Sequence, residues 1–341
     1  MKSPAIVAIA AVLSFAAFSG ALADTHTVPE TMRAAALDMG GGPEVLSLHD
    51  LPVPTPGVGE VLIAVHAAGI GVWEAEFRQH PPAGARFPMI LGGDGAGKIV
   101  ALGPDVQGFK VGDPVYGTAY GFDAEYVKAR VDRIAHVPKG LDLTEASLLA
   151  ISGLSALQGL DDVLQLKPGE TLIIHGAAGA VGALAVQLAK LRGAKVLATA
   201  SSDEGLSLVK KLGADAVVNG RTEDIAAAAR QFAPHGVDAV LGLAGGDALE
   251  HCIDTLRRDG HGRVAYLYGM EPIPRPRGAI RMTLYNFIAG SHELERLNEA
   301  TEAAKLRVPV GAKYPLAQAA EAHRRLEAGH LLGKIALVVR N

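Results

Sequence analysis

Between Met32 and about Arg133 the apolar positions come in short runs, such as Val61–Val65, Lys98–Leu102 and Pro114–Tyr116, interrupted every few residues by Gly or Pro. Runs of that length between turn formers predict strands, and their density predicts a β-rich, barrel-like half. Past about Gly153 the period changes. Strand-like segments at Thr171–His175, Lys195–Thr199, Ala216–Val218, Ala239–Leu243 and Arg263–Tyr268 alternate with stretches of helical spacing, the pattern of an α/β unit with a doubly wound parallel sheet. After about Phe287 the sequence is helical again. Gly333–Arg340 then reads as a strand with no crossover helix behind it, so it is expected to return to the first half. The chain thus divides into a barrel-like unit, residues 24–153 and 288–341, and a Rossmann-type unit, residues 154–287.

The first 23 residues are expected to stand outside both units. Lys2 supplies a basic start, Ala5–Phe18 are apolar, and Ala21-Leu22-Ala23 has the small-residue spacing of a cleavage site, so the segment reads as a signal peptide removed before Asp24, with a periplasmic or secreted product. Two other readings stay open. The stretch is an uncleaved anchor, although it is short of the roughly 20 residues a span needs, or translation begins at Met32 and the product is cytoplasmic. The lone Cys252 has no partner for an internal disulfide. At 341 residues the chain can fill two hydrophobic cores, and a net charge of -4 without any Lys/Arg-rich run argues against nucleic acid or a membrane surface as partner. A small molecule is the expected partner.

The candidate chemistry begins where Thr171–His175 runs into Gly176, Ala177, Ala178, Gly179, Ala180, Val181 and Gly182, followed by a helix with Val181, Leu184, Leu188 and Leu191 at helical spacing. Strand, glycine turn and helix in immediate succession predict a dinucleotide site. Small residues permit a tight turn and close helix packing, and the free N–H groups of the helix start face a pyrophosphate. An NAD site usually closes the next strand with a carboxylate. Here that strand ends in Ala200-Ser201-Ser202, which favours NADPH over NADH because nothing repels a 2′-phosphate and two hydroxyls can meet it. Ser201 also fits a capping box with Glu204. Arg221 is the best candidate for a cation at the phosphate, with a solvated surface arginine as the alternative.

These residues, with Gly41–Val45, Pro88–Gly92 and Gly95–Gly97, Phe109–Gly117, Ala124–Tyr126 and Gly333–Ile335, make residues 32–341 resemble the zinc-independent quinone oxidoreductase branch of the medium-chain dehydrogenase/reductases. The resemblance implies a GroES-like barrel as the catalytic unit, and a homodimer. It implies that Ser155 lies beside the nicotinamide, and that the backbone at Gly269 and Met270, with Phe287 and Ile288, holds the carboxamide face. It also implies metal-free hydride transfer to a quinone or an α,β-unsaturated carbonyl. In the superfamily's zinc enzymes a cysteine and a Gly-His-Glu supply ligands. Here those positions read Gly71 and Gly92-Gly93-Asp94, the structural cysteine quartet is missing, and the twelve histidines show no metal-like spacing. No zinc is therefore expected.

The departures from the branch lie on the substrate side. Gly71 stands where an asparagine is usual, Glu76 near where a tyrosine is usual, and Gly220 where a tyrosine often covers the adenosine phosphate. Trp73, the only tryptophan, either stacks on a flat acceptor or packs. An enoyl-thioester reductase and a non-catalytic dinucleotide sensor are the competing readings.

Overall fold

The computed structural model of the protein describes residues 28–340, so the expected leader and its cleavage point lie outside the described residues. In chain order the first half holds β1 (Thr31–Leu37), β2 (Leu46–Pro52), β3 (Glu60–Ile70), α1 (Val72–Gln79), β4 (Met89–Ile90), β5 (Asp94–Leu102), β6 (Pro114–Thr118), β7 (Tyr126–Arg130) and β8 (Ile134–His136). Two helices, α2 (Leu143–Ser147) and α3 (Ala150–Gln158), lead out of it. The second half alternates β9 (Thr171–His175), α4 (Ala180–Leu191), β10 (Lys195–Ala200), α5 (Asp203–Lys211), β11 (Ala216–Asn219), α6 (Ile225–Phe232), β12 (Ala239–Gly242), α7 (Asp247–Asp254), β13 (Arg263–Leu267) and β14 (Arg281–Tyr285). The chain closes with α8 (Ser291–Ala304), β15 (Val310–Pro315), α9 (Ala319–Glu327) and β16 (Lys334–Val338).

The second-half strands are all parallel, in the order β11-β10-β9-β12-β13-β14. The chain order reverses between β9 and β12, and ligands of such sheets bind outside the carboxyl ends at that point. The first half is a seven-stranded sheet, β15-β16-β3-β5-β6-β8 with β7 also on β3, beside the smaller sheet β2-β1-β4. As the missing crossover helix predicts, β16 returns and pairs antiparallel with β3.

Two strands had no sequence signal. The sheet-edge strand β14 is only partly buried, and β15 alternates between half-exposed and exposed positions, so neither carries the apolar rhythm that marks a strand. Helix α3 starts at Ala150, ahead of the expected boundary near Gly153, and Ser155 falls in its interior.

One core runs through both halves. It joins Ala96, Tyr116 and Ala336 of the barrel to Leu154, Leu172, Ile174 and Leu184 of the Rossmann unit, with Leu294 and Leu297 of α8. Tyr116 Oη donates to Asn298 Oδ1 at 2.7 Å within this seam. A buried ion pair locks the returning strand. Lys334 Nζ on β16 donates to both carboxylate oxygens of Asp94 on β5, at 2.7 and 2.8 Å, and Asp94 Oδ2 also accepts the Ile151 N–H of α3 at 3.2 Å. Burial pushes the Asp94 carboxyl up while Lys334 pulls it back.

The turn after β9 is held from β10. Thr199 Oγ1 accepts the Gly176 N–H at 3.3 Å and donates to His175 Nδ1 at 2.8 Å, and Thr199 O accepts the Ala177 N–H at 3.0 Å. His175 is buried and its imidazole is pulled down to about 4.

Two outcomes follow from these contacts. Lys334→Met leaves a buried, unpaired Asp94 and is expected to cost about 3–5 kcal/mol in urea unfolding, with Asp94→Asn added to it recovering part of the loss. The unfolded chain protonates His175 near pH 6.5, the folded one only near 4. Stability is therefore lost as pH falls through that interval, on the order of 1 kcal/mol per pH unit. His175→Asn, which keeps an acceptor for Thr199, should show a smaller fall in thermal midpoint between pH 6.5 and 4 than the wild type.

Candidate active site

The two halves meet at the carboxyl ends of β9 and β13, where Trp73 of α1 lies against Gly269 just past β13 and the Gly333 N–H reaches the turn after β9, and this junction is the candidate cleft. Its Rossmann side is built as the glycine pattern predicts. Gly176 turns with φ +79°, and Gly179 caps α4 without any side-chain hydrogen bond. The helix start at Ala180, Val181 and Gly182 therefore keeps N–H groups for an anion. At Gly182 a Cβ would lie 2.5 Å from Gly176 O and 2.6 Å from Ala177 Cα, so no larger residue permits this approach of α4 to the turn. Ala177 and Ala178 are buried beneath it. Ala178 O accepts the Gly333 N–H at 2.8 Å, which ties the start of β16 to the glycine turn.

At the end of β10 the two serines separate in role. Ser202, not Ser201, caps α5: its Oγ accepts the Gly205 N–H at 3.1 Å, which corrects the Ser201–Glu204 capping box. The shift is by one residue because β10 continues through Ala200 and Ser202 takes the extended cap conformation. Ser201 Oγ instead meets His330 Nδ1 at 3.3 Å, and His330 Nε2 accepts from Arg221 Nη2 at 3.3 Å. Two donors expected near a 2′-phosphate are thus joined by a third residue, His330, from the loop before β16. Its sequence surroundings gave no signal, since the contact to Ser201 spans 129 residues.

On the barrel side, Gly71 caps α1 and faces open space, with nothing among the described residues within 4 Å of the place a Cβ would take. Trp73 projects from α1 across the cleft. Its ring stacks on Tyr268, with centroids 5.8 Å apart and planes 5° from parallel. It also lies against Gly269, where a Cβ would come within 2.4 Å of the indole and where φ is +80°. Gly71, Trp73 and Gly269 therefore converge, and Tyr268, absent from the sequence-based candidates, joins them. Tyr268 sits in the turn just past β13 and is 56% exposed.

The other expected residues take different places. Ser155 is buried in α3, one turn beyond Ile151, whose side chain reaches toward Gly93, and its backbone carbonyl accepts from Tyr285 Oη at 2.9 Å. Met270 packs against the core on the α6/α7 side of the sheet. The Ile288 backbone is engaged by Gln158: its N–H donates to Gln158 Oε1 at 2.9 Å and its C=O accepts from Gln158 Nε2 at 2.7 Å, leaving the carbonyl one further lone pair. The Phe287 N–H is likewise taken, by Asn286 Oδ1 at 2.9 Å. The Phe287 and Ile288 N–H groups are therefore engaged within the protein, the Phe287 side chain packs against the core, and the Ile288 side chain is exposed.

Comparison with known proteins accords with this geometry. The alcohol dehydrogenase GroES-like domain matches residues 57–139, and the zinc-binding dehydrogenase family matches residues 212–337. A quinone oxidoreductase of Mus musculus is 32% identical over 315 residues, covering 87% of this chain and 94% of its own. A solved NAD-dependent alcohol dehydrogenase superposes with a TM-score of 0.84 at 32% identity, over 90% of this chain and 100% of its own. The quinone oxidoreductase of Escherichia coli, solved with NADPH, gives a TM-score of 0.81 at 27% identity, over 90% of this chain and 100% of its own. With both family models matched and these relatives covered nearly end to end, the chain belongs to the medium-chain dehydrogenase/reductases, in their quinone oxidoreductase branch.

Proposed function

We propose that the protein is an NADPH-dependent reductase that transfers hydride to a flat, electrophilic acceptor, a quinone or an α,β-unsaturated carbonyl, without a catalytic metal. The observation that carries this reading is the pairing, in one cleft, of an uncapped helix start with Gly71 and Gly93 at the positions of the zinc enzymes' donors. Neither glycine can bind a Lewis acid that would polarise an alcohol or ketone, so the acceptor has to bring its own electrophilicity. The dinucleotide, when bound, supplies the hydride. The balanced reaction consumes one hydride and one proton per quinone reduced to hydroquinone.

The chain's own residues bind and orient. The α4 start and the Gly176–Gly179 turn would hold the pyrophosphate. Arg221, Ser201 and His330 would meet a 2′-phosphate with one fixed charge and two further hydrogen-bonding groups, a set with no use in NADH. Trp73 and Tyr268 present two ring faces at the cleft mouth. A planar acceptor can exchange their mutual stacking for stacking on itself, and the parallel arrangement excludes water from the reacting face.

The cofactor preference is tested by equilibrium titration. Arg221→Ala and His330→Ala should each raise the dissociation constant for NADPH about 10-fold or more, as expected when a hydrogen bond to a charged group worth ~1.5–3 kcal/mol is lost. NADH binding should change less than about twofold; equal losses for the two cofactors would contradict the assignment. For the acceptor, Trp73→Ala should lower kcat/KM for 1,4-naphthoquinone by about 3- to 10-fold, the scale of one aromatic contact. An acyclic 2-alkenal, too small to span both rings, should lose little. If the wild type binds NADPH yet oxidises it with no acceptor, the enzyme reading is wrong.

A further inference from the structure

Beneath the cleft floor the fold brings three side chains from distant parts of the chain into one buried cluster. Glu74 stands in the first turn of α1, Asp123 in the loop between β6 and β7, and His323 on α9. One donor atom of each lies within 4.8 Å of the others, and the residues are 6%, 0% and 0% exposed. Glu74 Oε1 accepts the Gly93 N–H at 3.0 Å. Among the described residues, Glu74 Oε2, both carboxylate oxygens of Asp123 and both ring nitrogens of His323 have no hydrogen-bond partner. Buried polar atoms are almost always satisfied, and a carboxylate left bare in the interior costs several kcal/mol. One such atom from each residue lies close enough to the other two to share a single partner.

The surrounding charges narrow what that partner is. Asp94 is matched by Lys334, and Glu327 is matched by Arg78, one helical turn along α1 from Glu74. Arg78 Nε and Nη1 are themselves unpaired, but the guanidinium charge is already answered by Glu327. Two carboxyls therefore remain, both pushed up by burial, beside an imidazole that burial and the neighbouring Arg78 guanidinium hold in its neutral form. Ionised together they would offer two negative charges and a neutral nitrogen donor, a set complementary to one divalent cation, whose charge would offset the burial that otherwise favours their protonated forms. A set of two carboxylate oxygens and one imidazole nitrogen suits Zn²⁺ or Mn²⁺ better than Ca²⁺ or Mg²⁺, which take oxygen alone. The Gly93 N–H on the second oxygen of Glu74 orients that carboxylate from outside, as outer partners of metal ligands do.

We propose that Glu74, Asp123 and His323 bind one divalent transition-metal ion, Zn²⁺ or Mn²⁺, that braces the cleft floor. The site is separate from Gly71 and Gly93, where the zinc enzymes of the superfamily carry their donors. Through Glu74 the ion would fix the Gly93 segment, and through His323 it would join α9 to α1. Ligand atoms up to 4.8 Å apart must draw in by about an ångström to meet metal bonds of about 2 Å.

The full chain, stripped with EDTA and dialysed, is titrated with Zn²⁺ and, separately, Mn²⁺, with bound metal counted by elemental analysis and the thermal midpoint followed. One ion per chain and a rise in midpoint are expected, because a ligand bound only by the folded state stabilises it. Asp123→Asn and His323→Gln should each weaken binding about 100-fold. Co²⁺ in place of Zn²⁺ should give visible absorption bands that both variants lose. Anomalous scattering from wild-type crystals locates the ion even if a variant fails to fold. No bound metal in the wild type, unchanged binding in both variants, or an ion located elsewhere would overturn the proposal.

Discussion

The close approach of α4 to the turn after β9 is the constraint on which the rest depends. Because Gly182 has no side chain, the helix start can sit on Gly176 and Ala177 with its N–H groups aimed out of the sheet. Thr199 grips the same turn from β10 through its hydroxyl and carbonyl. Ala178 then receives the Gly333 N–H, so the barrel half is registered against the one turn that would receive a pyrophosphate. The position of His330, and through it the pairing with Ser201 and Arg221, follows from that docking. Cofactor site and domain arrangement are in this sense a single packing problem.

A second layer of order lies under the cleft. The Asp94–Lys334 pair joins β5, β16 and the α3 start, and Asp94 adjoins Gly93, whose N–H is held by Glu74. Ionisable groups in such a place are expensive to bury, and the fold answers the cost with matched partners at Asp94. The upper face of the cleft is bare by contrast. Gly71 leaves open space, and Trp73 and Tyr268 supply two parallel ring faces.

Local features were legible in the sequence. The glycine turn could be read because strand, turn and helix are contiguous, and the return of β16 because no crossover helix follows it. What stayed hidden depends on contacts between remote residues or on register within one turn. His330 reaches Ser201 across 129 positions, and His323 meets Glu74 and Asp123 from the far end of the chain. Metal-like spacing could not reveal that cluster, since its three members sit on separate elements. The serine cap slipped from Ser201 to Ser202 because the strand runs one residue further than its apolar pattern suggests. Gln158 engages the Ile288 N–H and C=O across 130 positions, a pairing that only packing decides.

The central claim is that this cleft binds NADPH and passes its hydride to an electrophilic acceptor. Its most direct test is a stopped-flow experiment on the wild type, mixing protein loaded with NADPH, deuterated at C4 or not, with 1,4-naphthoquinone. The account predicts quinone-dependent loss of NADPH absorbance, slowed by deuterium at one face of C4, at concentrations where NADH is bound far more weakly. Tight NADPH binding with no oxidation by quinone or enal, or oxidation indifferent to the deuterium on either face, would contradict it.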